Sequence, residues 1–71
     1  MKIPKMPKGT KPDDRAFMVQ YKDKEGDTRE YGSLKDLLTF DEADRFAIQV
    51  DGMIIGWDEN GKDSLVFDYR Y

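Results

Sequence analysis

The stretch from Arg45 to Trp57, RFAIQVDGMIIGW, constrains the fold of this chain more than any other. Phe46, Ile48 and Val50 alternate with Ala47, Gln49 and Asp51. After Asp51-Gly52, Met53, Ile55 and Trp57 alternate with Ile54 and Gly56. An Asp-Gly pair between two alternating runs is a strong hairpin signal, because a type I′ turn needs positive φ at both central residues. A two-residue turn pairs Val50 with Met53, Ile48 with Ile55 and Phe46 with Trp57, all on one face. Each such pair contributes about 0.2–1 kcal/mol beyond simple burial. The pattern therefore predicts a central hairpin at the heart of the core, in which Trp57→Ala costs about 3–5 kcal/mol.

The rest of the core has little else to draw on. A chain of 71 residues is one domain and buries only about 60% of its unfolded surface. It has no Cys and no His, which excludes disulfides, thiolate or imidazole metal sites and histidine acid–base chemistry. Nine aromatic residues, four Phe, four Tyr and one Trp, must carry much of the packing, and self-association is a further source of stability.

Charge divides the chain at residue 12. Residues 1–12 hold Lys2, Lys5, Lys8 and Lys11 and no acid, a charge of +4, whereas residues 13–71 carry −7. Three prolines and a glycine in the first segment argue for a flexible, extended basic arm. Residues 13–71 are then an acidic α+β domain.

Within it, Phe17, Val19 and Tyr21 share one face of a strand over residues 16–22. Asp23-Lys24-Glu25-Gly26-Asp27 suits a five-residue hairpin loop leading to a strand over 28–31, with Lys22 opposite Thr28, Val19 opposite Tyr31 and Tyr21 opposite Arg29. Ser33 and the stripe Leu34, Leu37, Leu38 predict a short helix over 34–38. Thr39-x-x-Glu42 is a capping box that starts a further helical turn near 41–45. The last strand, 64–71, faces two conflicting rules. A tight Asn60-Gly61 turn pairs Trp57 with Ser64 and turns Leu65, Phe67, Tyr69 and Tyr71 outward. Because one residue of slip reverses every side chain, the larger apolar set is expected to win. A bulged or longer loop then sets Trp57 opposite Leu65, Ile55 opposite Phe67 and Met53 opposite Tyr69. The predicted architecture is a single small α+β domain, an antiparallel sheet of order ββαβββ with one short helix packed on one face.

No motif carries catalytic chemistry. Aligning an EF-hand loop on Gly61 puts Gly56 first and Phe67 twelfth, and aligning on Gly26 puts Tyr21 first and Gly32 twelfth, so neither loop fits calcium. Fifteen acids in a short chain make close carboxylate pairs inevitable, and so small a domain has little room for a pocket. The chain is therefore expected to be non-enzymatic, with no cofactor and no metal.

Three interaction surfaces remain. Asp36, Asp41, Glu42, Asp44, Asp58, Glu59 and Asp63 are candidates for an acidic face that binds a basic partner. Phe67, Tyr69 and Tyr71 mark a C-terminal edge strand open to a second copy or another protein. Lys2, Lys5, Lys8 and Lys11 are candidates for a salt-sensitive contact with nucleic acid that carries no sequence information. The leading expectation is a protein-interaction module, binding a protein partner or itself as a homodimer through the sheet edge or acidic face. The alternatives are an acidic mimic of nucleic acid, by analogy with small phage counter-defence proteins, and a nucleic-acid accessory protein acting through the arm. No apolar run approaches the ~20 residues of a membrane span, and no apolar leader segment sits near the N-terminus, so a cytoplasmic location without membrane contact is expected.

Overall fold

The structure, a computed structural model, describes residues 4–70. It is an α+β domain in which strands β1 (Phe17–Lys22), β2 (Thr28–Tyr31), β3 (Met53–Trp57) and β4 (Asp63–Asp68) form one antiparallel sheet of order β2-β1-β3-β4. One helix, α1 (Phe40–Val50), packs on it. The element order is ββαββ, one strand fewer than ββαβββ, because residues 46–50 are helical.

That difference lies in the stretch that looked most decisive. The run from Phe40 to Val50 satisfies two periods at once. Phe46, Ile48 and Val50 alternate, but Phe40, Ala43, Phe46, Ala47 and Val50 also recur at helical spacing. The helix starts on the predicted capping box, where the Glu42 N–H donates to the Thr39 hydroxyl (3.3 Å) and the Thr39 N–H to the Glu42 carboxylate (3.1 Å). Once started, it buries Ala43 and Ala47 completely and leaves Ile48 54% exposed. Asp51 does take positive φ, at 51°, but as a left-handed helix cap and not in a hairpin turn. Gly52 donates to the Ala47 carbonyl (3.0 Å). It also lies so close to β1 that a Cβ would come within 2.9 Å of Val19 Cγ1 and 3.0 Å of the Gln20 carbonyl. The Asp-Gly pair thus turns the chain from helix into β3.

Leu34 to Leu38 is not helical. Ser33 and Asp36 exchange backbone hydrogen bonds, and Leu34 is 73% exposed. Five residues scarcely repay helix nucleation, and the sheet claims the far end. Leu38 donates to the Phe17 carbonyl (2.8 Å) and accepts from the Phe17 N–H (3.0 Å).

The first hairpin has the expected register, Val19 opposite Tyr31, Tyr21 opposite Arg29 and Lys22 opposite Thr28. Its loop and the loop between β3 and β4 are built alike. Asp23 Oδ1 accepts from the N–H groups of Glu25 and Asp27, and Asp58 Oδ1 from those of Asn60 and Lys62. Gly26 and Gly61 hold positive φ three residues after the aspartate. The last pairing follows neither predicted register. Trp57 faces Asp63 and Ile55 faces Leu65; then a bulge at Val66 shifts the count, so that Ile54 faces Phe67 and Met53 faces Asp68. The irregularity sits inside the strand and not in the loop. It turns both Val66 and Phe67 toward the helix side, which is how the chain buries apolar residues without slipping the whole strand.

Pairing separates the two faces. Phe17, Val19, Ile54 and Val66 lie under the helix with Ala43 and Ala47. Phe40 sets its ring edge-on to Phe17 (5.7 Å between centroids), and Phe46 stacks on Tyr31 (4.0 Å) while meeting Tyr21 edge-on (5.3 Å). The other face carries Met18, Met53, Ile55, Trp57 and Leu65. Ile54, wholly buried, therefore anchors the core, and Trp57 is only half-buried. In denaturant titrations, Ile54→Ala should cost about 2–5 kcal/mol. Ile48→Gln should change stability by no more than about 0.5 kcal/mol; a large cost there would restore the hairpin.

Candidate protein-interaction site

The basic arm is placed along the domain. From Lys5 onward it runs beside β4 and the 58–62 loop: the Lys5 N–H donates to the Val66 carbonyl (2.9 Å), the Glu59 N–H to the Lys8 carbonyl (3.1 Å) and the Thr10 hydroxyl to the Trp57 carbonyl (2.7 Å). The Lys5 bond engages the carbonyl of the bulged residue, which a bulge leaves out of the ladder. Pro7 is buried against Gly56, and Met6 packs on the core. The charge boundary at residue 12 is thus no break in packing, since the Phe40 N–H donates to the Pro12 carbonyl (2.8 Å). Lys5, Lys8 and Lys11 all face solvent. Lys2 lies outside the described residues.

The seven candidate acids do not form one face. Asp41, Glu42 and Asp44 stand on α1, Asp36 in the turn before it, and Asp58, Glu59 and Asp63 at the β3–β4 end. Several have internal work. Glu42 closes the helix cap and pairs with Arg15 (3.3 Å), and its carboxyl is held below its ordinary pKa by the Thr39 N–H, then by the Thr39 hydroxyl and Arg15. Asp41 pairs with Arg45 (3.0 Å). Asp58 shapes its loop, and the Glu59 side chain lies against Gly9.

The C-terminal edge is also engaged. Phe67 and Tyr69 pack against the core with their rings 4.6 Å apart, and the Tyr69 N–H donates to the Gly52 carbonyl (2.9 Å). The Tyr69 hydroxyl donates to Asp44, tying the end of β4 to the helix. Tyr71 lies outside the described residues. The outer side of β4 meets the arm at Val66. The opposite edge, β2, is exposed at all four residues, but it is short and carries Arg29 and Glu30, features that discourage strand addition.

A different surface stands out, the sheet face away from the helix. Met18 is 7% exposed yet stands apart from the helix-side cluster. Around it, Ile55, Trp57 and Met53 are half-buried and Leu65 is 49% exposed. Leu34 extends the apolar band, and a shallow groove of about 450 Å³ runs from Met18 and Trp57 to Leu34 and Lys35. The domain is only 18 Å thick, enough for one helix layer and one sheet layer at ~10 Å each. The turn after β2 closes over Met18, and among the described residues no helix or second sheet lies over the rest of this face. The sequence reading missed it because it placed Met53, Ile55 and Trp57 inside the core. The alternation Met53, Ile55, Trp57 against Ile54 and Gly56 did carry the signal, with the buried side assigned to the wrong set.

Among the described residues no group of three or more acids is placed to hold a metal ion, and no helix is long and apolar enough to cross a membrane. Comparisons with family models, curated proteins and solved structures gave no match.

The Tyr69–Asp44 contact has a pH consequence. Burial, then the hydrogen bond and charge of Asp44, raise the Tyr69 pKa to about 12, against about 10 in an unfolded chain. A raised folded-state pKa means a contribution that is complete below pH ~10 and is lost as pH rises toward about 12. The stability difference between the parent and Tyr69→Phe, followed by denaturant unfolding from pH 8 to 12, should shrink across that window.

Proposed function

We propose that this domain is a non-catalytic protein-interaction module whose binding surface is the open apolar face of the sheet. The observation that carries the reading is the band in which exposed Leu65 and Leu34 flank half-buried Ile55 and Trp57 around buried Met18, on a face over which no helix or second sheet lies among the described residues. Contiguous exposed apolar patches on small proteins mark interaction sites far more than isolated apolar residues do. Methionines and a tryptophan suit protein surfaces, because Met adapts its shape and Trp supplies a large rigid contact. Acidic mimicry has weaker support, since Asp41, Glu42 and Asp58 are engaged within the domain.

A photo-crosslinking side chain at position 65 tests the proposal, with position 48 as an equally exposed apolar control on the helix. Nuclease-treated cells should give a discrete protein adduct from position 65, either with another protein or with a second copy, and none from position 48. Equal labelling at the two positions, or none at either, would count against the open face.

A second reading has one observation behind it. Lys5, Lys8 and Lys11 face solvent at three-residue spacing, and none joins the ion pairs among the described residues. Such a row offers a weak contact to a polyanion. Binding to an unstructured oligonucleotide should then fall steeply between 50 and 200 mM salt and be lost on replacing all three lysines by alanine.

A further inference from the structure

We infer that the occupant of the open sheet face is a second copy of this chain, packed face to face about a two-fold axis parallel to the strands. This inference rests on the reading of that face as an interaction surface. Three observations lead to it.

The first is the size of the core. The buried part of the helix-side cluster is Phe17, Val19, Ile54 and Val66 with two alanines, the apolar residues around it being only partly buried, and the chain has no cysteine to cross-link it. Domains this short are marginal on a single core, and a disulfide, a metal, cyclisation or oligomerisation commonly supplements it. A second copy is the supplement that requires no further component, and the open face offers it apolar surface that the monomer leaves wet.

The second is area. Four strands ~4.8 Å apart, each contributing about five residues at ~3.3 Å, give a flat footprint of roughly 300 Å². Side-chain relief and the turn that carries Leu34 raise the accessible area toward the ~600 Å² per partner at the lower end of stable interfaces. Two such faces stack at ~10 Å, as the sheets of a sandwich do.

The third is charge. An axis along the strands, between β1 and β3, lays β4 of one copy over β2 of the other. At one end Asp63, in register with Trp57, then faces the second copy's Lys35, which lines the groove beside Trp57. In the middle, Leu65, in the row of Ile55 and Met18, covers the groove between Gly32 and Leu34. At the far end Asp68 shares the row of Met53, Gln20 and Glu30, so the axis sets it over the second copy's Glu30, and Arg70, paired with Asp68 (2.8 Å), has to lie between the two carboxylates. Aligned sheets cross at only about 30°, which preserves these oppositions. Each contact occurs twice by symmetry, as an isologous interface requires.

Sedimentation equilibrium of the purified full chain, from roughly 1 to 300 µM, is the test, with circular dichroism as the check on fold. The parent should approach a dimer of twice 8.3 kDa. Leu65→Lys, and separately Leu34→Lys, should raise the dissociation constant about tenfold or more with an unchanged spectrum. Asp63→Lys should weaken the dimer, and adding Lys35→Asp should restore it. A parent that stays monomeric throughout overturns the inference. If position 65 then crosslinks another protein, the interaction-module reading stands alone; if it crosslinks nothing, both readings fail. A dimer indifferent to Leu65→Lys and Leu34→Lys overturns the assignment to this face, and failure of Lys35→Asp to rescue overturns the axis.

Discussion

Two alanines decide how this domain is put together. Ala43 and Ala47 are fully buried beneath α1, and their small side chains let the helix lie close over β1 and β3. The larger rings work at the flanks, where Phe40 meets Phe17 and Phe46 sits against Tyr21 and Tyr31. The helix thereby covers the side of the sheet that carries Val19 and Ile54. The arm takes the rest of that side, with Pro7 set against Gly56, where a Cβ would come within 2.7 Å of Val66 and 2.8 Å of Pro7.

Everything else follows from having one helix for a sheet with two faces. A four-stranded antiparallel sheet of alternating residues tolerates one solvated face when that face is polar. Here it is polar only in part, with Gln20, Glu30 and Asp68 in one row and Met18, Ile55 and Leu65 in the next. Folding leaves the apolar half without an intramolecular role, which is why function is sought there. The charged groups that stood out by their number mostly serve local geometry. Asp23 and Asp58 organise two hairpin loops, Glu42 closes a helix cap, and Asp44 anchors the last strand.

Much of the fold was legible where the controlling forces are local. The first hairpin came out residue for residue, because a five-residue loop and an alternating strand fix the register together. The capping box at Thr39 was read correctly, although the helix it starts ran on to Val50 and not to residue 45. The stretch from Phe46 to Val50 could not be settled alone, since its spacing fits a strand and a helix equally. The difference lay in Ala43 and Ala47, small residues that give no strong signal until a sheet lies beneath them. The candidate acids and arm lysines were found by composition, and composition says nothing of which carboxylates are already bonded. Phe67 and Tyr69 do face the core, as the preferred register had them, but Leu65 was misplaced, being left 49% exposed on the other face. The shift comes from a bulge at Val66 inside the strand and not from the loop before it, and a bulge leaves no local mark in the chain.

The sequence by itself determined the class of the protein. A short chain without cysteine or histidine, with alternating runs, two Asp-x-x-Gly loops and a capping box, specifies a small α+β domain through turn and capping chemistry that acts within a few residues. Tertiary structure alone decided which side of β3 is buried, where the arm lies and which apolar residues are left facing water. Those outcomes depend on contacts between residues far apart in the chain, Ala47 with the sheet and Lys5 with Val66 among them, and on a single helix having only one face of the sheet to cover.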